Sequence, residues 1–480
     1  MQARRIGIIG GGAAGAAIVG ELLRNGRGLA LTWIVGHGAP GRGVAYATAN
    51  ERHLLNVRAG ATGLFVDAPG ALLRFAQERG LAAEAADFLP RRVFGEFVGA
   101  TLARAIATAH GSNSLELRPL EATAIKPGDA GILVLTEDGA QVTFEAAVLA
   151  IGAPPPVPLA QVSAVALSSG RYALDPWSLP SLQPAPQRVL VIGSGLTAID
   201  AMLGAAAQWP DAQILAVSRH GRLPATHHAR STPACAVPGK LIAELRAHSR
   251  VRHWFQQIRM AAAAADDWRS VIDGLRGATP TLWQSLPVNE QRRFLRHARW
   301  AWEIARHRVA PQAAQAIELL RDAGRLEILA GRVLAVDGSG PLHVTLRRRD
   351  DGSVDTCAAD LVIQATGFQG FAHETAHGVL RQMLDAGLVR PDRLSLGLDA
   401  DAQGRPLRSD GLPWLNLHAV GALLRGAQWE CTALREISAA AASLARELIG
   451  VPAEDPAAAP PGLRSAPSRH NDISIRQFGA

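Results

Sequence analysis

The stretch IGIIGGGAAGAAIVGELLR, residues 6–24, decides the fold of this 480-residue chain. An apolar run is followed by G-x-G-x-x-G and then by residues typical of a helix, which predicts a strand at residues 6–9 and a helix at 13–24. In this pattern the first glycine permits a tight turn, the second lets the backbone approach a pyrophosphate, and the third allows helix and strand to pack closely. The predicted dinucleotide-binding positions are Gly10, Gly12, Ala14 and Gly15.

A second unit of the same kind begins at Arg188, where VLVIG is followed by a helical segment and by the strand-like ILAVS. Its turn has the G-x-G-x-x-A form of the motif. Arg219 follows the second strand and can contact a 2′-phosphate there, which favours NADPH over NADH. A loop arginine without a ligand is the alternative. The predicted binding positions of this unit are Gly193, Gly195, Thr197, Ser218 and Arg219.

Two further apolar strands each end in a glycine: AVLAIG at residues 147–152 and DLVIQATGF at residues 360–368. Such an end lets the chain cross close to a bound cofactor, although an ordinary strand-to-loop glycine gives the same pattern. Because the two segments surround the second nucleotide unit, we include Gly152 and Gly367 among the candidate cofactor-binding residues.

The length predicts two or three domains, and 48% hydrophobic with 19% charged residues is typical of a globular protein. Residues from about 240 to 323 are rich in Ala, Arg and Trp at helical periodicity and predict a helical insert. Residues 451–480 are rich in Ala, Pro and Ser and predict a flexible tail. No window has the roughly 18 uninterrupted apolar residues of a membrane helix.

The net charge of +7 favours anionic ligands, although an arginine-rich proteome explains it equally well. The three cysteines, Cys235, Cys357 and Cys431, include no C-x-x-C, which argues against a disulfide framework and a dithiol redox centre. We therefore expect a cytoplasmic protein. The basic and apolar N-terminus could pass for a secretion signal, but the specific glycine spacing favours a first strand.

Three stretches carry a resemblance: GRGVAYATANERHLLNVRA at residues 41–59, RYALDPWSLP with VLVIGSGLTAID and AVSRHGRLP, and LHAVGALLRGAQWECTALREI at residues 417–437. The chain resembles a largely uncharacterised bacterial family of FAD/NAD(P)-binding oxidoreductases. That family lies within the two-dinucleotide flavoprotein superfamily, which includes flavin monooxygenases and N-hydroxylases. The resemblance covers nearly the whole chain except the tail, and its third stretch is the most specific.

The resemblance implies an α/β protein with two Rossmann-like dinucleotide-binding domains and a helical insert. It implies an FAD domain of residues 1–165 and 350–450, interrupted by an NAD(P)H domain of residues 180–350. It places Gly10, Gly12 and Gly15 at the FAD pyrophosphate. Its flavin-facing positions are Gly43, Tyr46, Asn56, Gly421, Trp429 and Thr432, and its NAD(P)H positions are Gly193, Gly195, Thr197 and Arg219. It implies no substrate.

The segment SSGRYALDPW, residues 168–177, departs from two monooxygenase classes of the superfamily. Flavin-containing and Baeyer–Villiger monooxygenases carry F-x-G-x-x-x-H-x-x-x-W between the domains. Here Ser168 replaces the Phe, Leu174 replaces the His, and Trp177 falls one residue early. This counts against those two classes but not against N-hydroxylating flavoenzymes, while the missing C-x-x-C disfavours disulfide reductases.

The predicted insert carries a stripe of charged residues on one helical face, namely Arg292, Arg296, Arg299, Glu303 and Arg306. An anion-binding wall over the cleft between the domains is one interpretation, and a solvated helix face, which we favour, is the other. Arg306 and His307 lie near the helix end, where they could point into the cleft. Together with Asn56 they are the candidate catalytic residues.

The predicted function is that of an NAD(P)H-dependent FAD oxidoreductase, acting as a flavin monooxygenase on a small polar or anionic substrate, with N-hydroxylation as one form. An NAD(P)H:acceptor reductase and a non-enzymatic nucleotide-sensing or RNA-interacting module stay open as alternatives. The expected cofactors are FAD and NADPH or NADH, and the expected partners are a small molecule and molecular oxygen, with no membrane and no nucleic acid. We expect no metal, because His227 and His228 lack a further ligand at suitable spacing.

One element of a dinucleotide site is missing from the sequence. The usual site has an Asp or Glu about 20 residues past the glycines, hydrogen-bonded to the adenosine ribose. That position falls at Gly36 and His37, in TWIVGHG. We expect His37, or backbone groups at residues 36–38, to hold the ribose, and Gly36→Glu to tighten FAD binding.

Overall fold

The structure, a computed structural model, describes residues 3–128, 131–229, 239–367 and 377–450. The predicted flexible tail and Cys235 lie outside the described residues. Within these ranges, none of the helices combines the length and the apolar composition that a membrane span requires.

The strands of the described residues are β1 Arg4–Ile9, β2 Leu29–Ile34, β3 Ser114–Arg118, β4 Ala122–Gly128, β5 Gly131–Thr136, β6 Gln141–Phe144, β7 Ala146–Leu149, β8 Tyr172–Ala173, β9 Arg188–Ile192, β10 Gln213–Ser218, β11 Leu326–Asp337, β12 Leu342–Arg348, β13 Val354–Ala359, β14 Leu361–Gln364 and β15 Leu417–Ala419.

The helices of the same residues are α1 Ala13–Asn25, α2 Gly43–Tyr46, α3 Ala71–Glu78, α4 Arg91–Ala107, α5 Ala164–Ser168, α6 Leu196–Gln208, α7 Gly239–Ala247, α8 Val251–Ala264, α9 Trp268–Leu275, α10 Thr279–Ser285, α11 Val288–Arg293, α12 Arg299–Arg306, α13 Pro311–Asp322, α14 Gly378–Asp385, α15 Arg425–Gln428 and α16 Leu434–Ile449. A π-helical turn, Phe294–Ala298, joins α11 to α12.

The first domain is built on a five-stranded sheet in the order β15-β7-β1-β2-β3, and all of its strands are parallel. The strands β1, β2 and β7 are buried along most of their length because both faces of the sheet are covered, whereas the edge strand β3 is largely exposed. Helices α1, α4 and α16 pack together on one face, and the antiparallel sheet β4-β5-β6 with α14 covers the other. The predicted strand, glycine turn and helix of the opening stretch are confirmed.

The second domain is built on a seven-stranded sheet in the order β13-β12-β11-β10-β9-β14-β8. The strands from β8 to β11 in this order are parallel, and β12 and β13 extend the sheet as an antiparallel meander. Because β13 and β14 are both strands of this sheet, residues 354–364 belong to the second domain. The chain therefore returns to the first domain after residue 364. We had expected this return at residue 350.

Helices α7 to α12 form the predicted insert in the crossover between β10 and β11, and they bury their own apolar core. Helix α13 is different, because Ala313 and Ile317 pack in the core of the second domain together with α6. It is the crossover helix of the second nucleotide unit, so the insert ends near residue 306 and not near 323. The predicted fold class, α/β with two Rossmann-like domains and a helical insert, is confirmed.

A buried carboxylate on α6 joins the two domains. Asp200 is 5% exposed, and its Oδ2 lies 3.0 Å from Nη2 of Arg91, the first residue of α4. The same Oδ2 accepts a hydrogen bond of 3.1 Å from Nε1 of Trp177. The Asp200 carbonyl accepts from His53 Nε2 at 3.1 Å, and His53 Nδ1 accepts from the Thr48 hydroxyl at 2.7 Å. These contacts fix the second domain against the first beside the space between them.

We predict that Asp200→Asn destabilises the protein by about 3 kcal/mol, because it removes the counter-charge of a buried guanidinium while keeping the volume of the side chain. The measurement is urea denaturation followed by circular dichroism. Asp211→Asn is the control, since Asp211 follows the same helix but is exposed. Equal stability of the two variants would show that the buried pair does not hold the domains together.

Candidate functional site

The carboxyl ends of β1 and β9 open onto a single cleft of about 2000 Å³. Both predicted glycine turns line it, one from each domain, and helices of the insert close one side. Ligands of parallel α/β sheets bind at the carboxyl ends of the strands, so this cleft is the candidate functional site.

The glycines of the first turn have different tasks. A Cβ added at Gly10 would lie 2.3 Å from the Ala150 carbonyl oxygen, and one added at Gly15 would lie 2.3 Å from the Gly10 carbonyl oxygen. At these two positions the backbone of the protein leaves no space for a side chain. Gly12 has no atom within 4 Å of an added Cβ and lines the cleft. Packing within the described residues therefore does not require a glycine at position 12. The missing side chain leaves space in the cleft for a ligand.

The second turn repeats this division. A Cβ at Gly193 would lie 2.3 Å from the Ala365 carbonyl oxygen, whereas Gly195 has open space around it. Gly12 and Gly195 are the N-caps of α1 and α6, and neither cap makes a side-chain hydrogen bond to the helix. The first N–H groups of both helices, at the positive end of each helix dipole, are therefore available to phosphate oxygens.

Three glycines that follow strands give the chain further close approaches to the cleft. Gly152, Gly367 and Gly421 have φ values of +74°, +73° and +69° and line the cleft. None has an atom within 4 Å of an added Cβ. The left-handed conformation favours glycine at these positions, and the open space next to them faces whatever the cleft holds.

Most of the residues predicted from the sequence meet in this cleft. The lining includes Gly10, Gly12, Ala14, Gly43, Tyr46, Asn56, Gly152, Gly193, Gly195, Thr197, Ser218, Arg219, Arg306, His307, Gly367, Gly421, Trp429 and Thr432. Gly15 and His37 do not line it. Gly15 packs α1 against the turn, while the side chain of His37 is 68% exposed and its Nε2 lies 3.1 Å from Oε2 of Glu137.

A carboxylate from the loop after β3 lies next to the position after β2 at which the sequence lacks one. Gly36 N–H donates to the Leu120 carbonyl at 3.1 Å, and Glu121 lines the cleft. A Cβ at Gly36 would lie 2.4 Å from Glu121 Oε1, and Gly36 has a φ of +70°. Any side chain at position 36 would strain the backbone and displace Glu121, so the expectation that Gly36→Glu tightens FAD binding does not hold. Glu121 is the functional candidate that the sequence pattern missed.

The closing motif provides an aromatic wall. Trp429 is 3% exposed, stacks on Trp283 with ring centroids 4.9 Å apart, and meets Phe294 edge-on at 5.4 Å. Its Nε1 is buried and has no hydrogen-bond partner. Trp429 and Glu430 have φ values of +24° and +62°, which are unusual for residues with side chains and store local strain.

The contacts of Glu430 explain what holds this strained turn. Its Oε2 accepts a hydrogen bond of 2.9 Å from Arg306 Nε, and its Oε1 accepts one of 2.5 Å from Trp302 Nε1. The side chains of Arg306 and Glu430 are 9% and 5% exposed, so this is a buried ion pair. Arg306 therefore positions the closing motif instead of acting as a free catalytic group.

His307, the other catalytic candidate of the insert, is also engaged. Its Nδ1 lies 2.9 Å from Oε2 of Glu303. Burial alone would raise the pKa of Glu303, but this hydrogen bond and the charges of His307, Arg299 and Arg425 lower it to about 2. Glu303 therefore stays ionised in the range in which enzymes work, and His307 is its partner.

The predicted arginine stripe has an exposed part and a part that is paired with acids at the cleft. Arg292 and Arg296 are exposed, which agrees with the solvated-face interpretation. Arg299 is half-buried and lies 3.1 Å from Glu303, and Arg306 is buried against Glu430. The cleft end of the stripe is thus paired with acids, and neither original interpretation describes the whole stripe.

His227, which the sequence did not suggest as a metal ligand, lines the cleft beside Asn56. Its Nε2 donates to the Asn56 carbonyl at 3.0 Å. Burial and the nearby charge of Arg308 lower the pKa of His227 to about 4. The ring is therefore neutral near pH 7, with its proton on Nε2 and a lone pair on Nδ1.

The described cysteines offer no reactive thiol to the cleft. Cys431 is 7% exposed, its Sγ donates to the Gly421 carbonyl, and burial raises its pKa to about 12. Burial also raises the pKa of Cys357, which lies in β13. Outside the cleft lining, Glu244, His248 and His253 place possible ligand atoms within 4.8 Å of one another.

Comparisons with known proteins agree with this architecture. Residues 7–154 match a family model described as FAD-NAD(P)-binding, which confirms the prediction of a cofactor-binding domain there. No curated protein sequence matches the chain. Among solved structures, an ornithine N-hydroxylase of Kutzneria sp. 744, described with reduced FAD, NADP⁺ and L-ornithine, is similar at 15% identity and a TM-score of 0.63, covering 94% of this chain and 99% of its own.

Two further solved structures show how widely the fold is used. The FAD-bound cadaverine monooxygenase of Erwinia amylovora is 14% identical with a TM-score of 0.62, covering 98% of this chain and 100% of its own. A bacillithiol disulfide reductase of Staphylococcus aureus is 12% identical with a TM-score of 0.53, covering 94% of this chain and 99% of its own. At such identities the likeness establishes a shared fold, and the reaction must be argued from the site.

We predict that valine at either open glycine blocks one nucleotide and spares the other. Gly12→Val should lower FAD affinity at least about tenfold, or about 1.4 kcal/mol, because its side chain fills the space at the first turn. Gly195→Val should leave FAD binding unchanged and weaken NADP⁺ binding to the same degree. The measurements are flavin absorbance after reconstitution and calorimetric titration with NADP⁺. Loss of both nucleotides in either variant would mean that the two turns do not act separately.

We predict that Glu121→Ala lowers FAD affinity about tenfold, because the carboxylate is the acceptor beside Gly36 and a hydrogen bond to a charged group is worth about 1.5–3 kcal/mol. His37→Ala is the control and should retain full affinity. Both affinities are measured by fluorescence titration of the apoprotein with FAD. Weaker binding in His37→Ala alone would return the ribose contact to His37.

Proposed function

We propose that this chain is an NAD(P)H-dependent FAD oxidoreductase that acts as a monooxygenase on a small polar or anionic substrate, with N-hydroxylation as the form that its fold relatives suggest. The observation that carries the proposal is the single cleft onto which two glycine turns open, each with a vacant position facing the cleft. Two dinucleotides held in one cleft can be oriented for direct hydride transfer.

The residues of the first domain fit FAD. The N-terminus of α1 and the open space at Gly12 suit the pyrophosphate, and Glu121 suits the adenosine ribose. Gly152 and Gly421 provide side-chain-free walls for the flavin, and the unpaired Trp429 Nε1 offers a donor. FAD held there would supply an acceptor for the nicotinamide hydride and a donor of electrons to oxygen or another acceptor.

The residues of the second domain fit a phosphorylated nicotinamide dinucleotide. Gly195 and the N-terminus of α6 suit its pyrophosphate. Arg219 is exposed at the end of β10. Partial burial and the charges of Arg349, Arg222 and Arg332 lower the pKa of His220, so these arginines lie close to its ring. This cationic edge suits a 2′-phosphate, which supports NADPH over NADH.

The chain's own groups have three tasks in such a reaction. The aromatic packing around Trp429 excludes water from one wall, because Trp283 and Phe294 close the space behind it. The buried Arg306–Glu430 pair keeps that wall in place. The neutral ring of His227 holds a lone pair at Nδ1 that can accept a hydrogen bond from a substrate near Asn56.

Two alternatives are weakened by specific contacts. A dithiol reductase would need a reactive cysteine pair, and burial holds the pKa values of both described thiols above their usual range. An RNA-binding face would need free cations along the whole stripe, but Arg299 and Arg306 are paired with acids, which leaves Arg292 and Arg296 as its exposed arginines. A simple NAD(P)H:acceptor reductase is separated from the proposal by experiment.

The test starts with FAD-reconstituted protein and anaerobic NADPH or NADH, and bleaching of the flavin absorbance is expected with NADPH. Aerobic turnover is then run under isotopically labelled oxygen with a panel of small amines and amino acids. Label in an N-hydroxylated product, found by mass spectrometry, supports the proposal. Reduction of the flavin without label in any product would favour the reductase. Absence of flavin binding would overturn both.

We predict that Arg219→Ala raises the KM for NADPH about tenfold or more and leaves the KM for NADH unchanged, because a charge-assisted hydrogen bond to the 2′-phosphate is lost. The measurement is the steady-state rate of flavin-dependent oxidation of each cofactor. Arg321→Ala, an exposed arginine on α13, is the control. An equal rise for both cofactors would place Arg219 at a group that NADH and NADPH share.

A further inference from the structure

A buried arginine lines one end of the cleft with donors that the protein does not use. Arg308 is 4% exposed and pairs through Nη2 with Asp273. Its Nε and Nη1 are buried and have no hydrogen-bond partner among the residues that the structure describes. Unmet buried donors cost about 1–3 kcal/mol each, and native structures satisfy them with water or a ligand.

The backbone holds this arginine firmly in position. His227 N–H donates to the Val309 carbonyl at 3.0 Å, and Val309 N–H donates to the Ala225 carbonyl at 2.9 Å. Arg269 Nε donates to the Thr226 carbonyl at 3.0 Å from the other side. The segment that carries Arg308 is thus paired to the loop after β10, next to His227. These hydrogen bonds fix the backbone that carries Arg308 at the cleft.

A second arginine adds to the positive charge. Arg58 donates to the Ala86 carbonyl at 2.6 Å and to the His228 carbonyl at 2.5 Å, and its guanidinium lies 4.9 Å from the centre of the Phe88 ring. Burial and the charge of Arg308 lower the pKa of Arg58, which shows that the two cations influence each other. Two arginines of different domains therefore face the same end of the cleft.

Acids lie near each of the arginines at this end of the cleft, with Asp273 and Asp87 close to Arg58. Asp273 is the acid in contact with Arg308, and its side chain is 40% exposed. Arg269 has its own partner, since its Nη1 lies 3.2 Å from Asp267. The neighbouring His227 is neutral at pH 7, as its pKa of about 4 requires. What distinguishes Arg308 from the other arginines here is its two buried donors without a partner among the described residues.

We propose that Arg308 and Arg58 bind the carboxylate of an anionic substrate at this end of the cleft, beside Asn56. The inference rests on the proposed function, because it assigns the phosphates of FAD and NADPH to the turns at Gly12 and Gly195. The unpaired Nε and Nη1 of Arg308 donate to the anionic oxygens, and such charge-assisted hydrogen bonds are stronger than neutral ones. The substrate class is a small molecule with a carboxylate at one end.

The experiment uses the full chain saturated with FAD and NADP⁺, so that the two pyrophosphate sites are filled. The protein is titrated with sodium acetate or sodium glutarate at constant ionic strength, with acetamide as the uncharged probe and chloride as the reference anion. The shift of the melting temperature gives an apparent Kd. The wild-type protein should be stabilised by the carboxylates and not by acetamide.

The variants are Arg308→Gln, Arg58→Gln and the control Arg296→Gln, which removes an exposed arginine of the insert. The apparent Kd for glutarate should rise about tenfold or more in Arg308→Gln and stay unchanged in Arg296→Gln. If Arg308→Gln does not fold, Arg58→Gln gives the same test with Arg308 intact. No stabilisation of the wild type beyond chloride, or full stabilisation of both binding variants, overturns the inference.

Flavin reduction by NADPH is measured on the same FAD-saturated protein before NADP⁺ is added, and it separates this inference from the proposed function. Normal flavin reduction without carboxylate binding overturns the substrate class alone. Carboxylate binding that depends on Arg308, in a protein that cannot be reduced by NADPH, supports the anion site and overturns the proposed function.

Discussion

The carboxylate of Asp200 sets the relation between the two nucleotide-binding domains. It lies on the helix that starts at the second glycine turn, and it contacts the first residue of α4 in the other domain. The two turns are therefore connected through rigid helices and not through the loops that link the domains. In the proposed reaction a hydride passes between two rings only when they meet within van der Waals distance, so the proposed geometry depends on this pair.

The glycine turns could be predicted because they are local. Strand, turn and helix follow each other directly in the sequence, and each glycine answers a steric demand of its neighbours, as the contact between Gly15 and the Gly10 carbonyl shows. The position of each turn at the carboxyl end of its own sheet was also predictable. The meeting of the two turns in one cleft was not, because they belong to different sheets whose packing depends on contacts such as Asp200 with Arg91.

Glu121 could not be predicted, because its position depends on pairing between distant segments. Strand β3 lies beside β2 with Ile34 opposite Arg118, and Val35 N–H continues the ladder to the Arg118 carbonyl at 3.0 Å. That register alone brings the loop after β3 next to Gly36. The ion pairs of the arginine stripe could not be predicted for a similar reason. Helical periodicity gave its face, but the acid that pairs with Arg306 comes from the closing motif, far away in the sequence.

The turn at Trp429 and Glu430 has a consequence for how this protein can be altered. Its backbone is strained, and the contacts that restrain it come from Trp302 and Arg306 of the insert. A chain without the insert would leave the Glu430 carboxylate without these two donors, beside an aromatic ring that had lost its stacking partner. The insert and the closing motif therefore form one exchangeable unit. Chimeras with other flavoproteins must transplant both segments together, and changes in one must be accompanied by changes in the other.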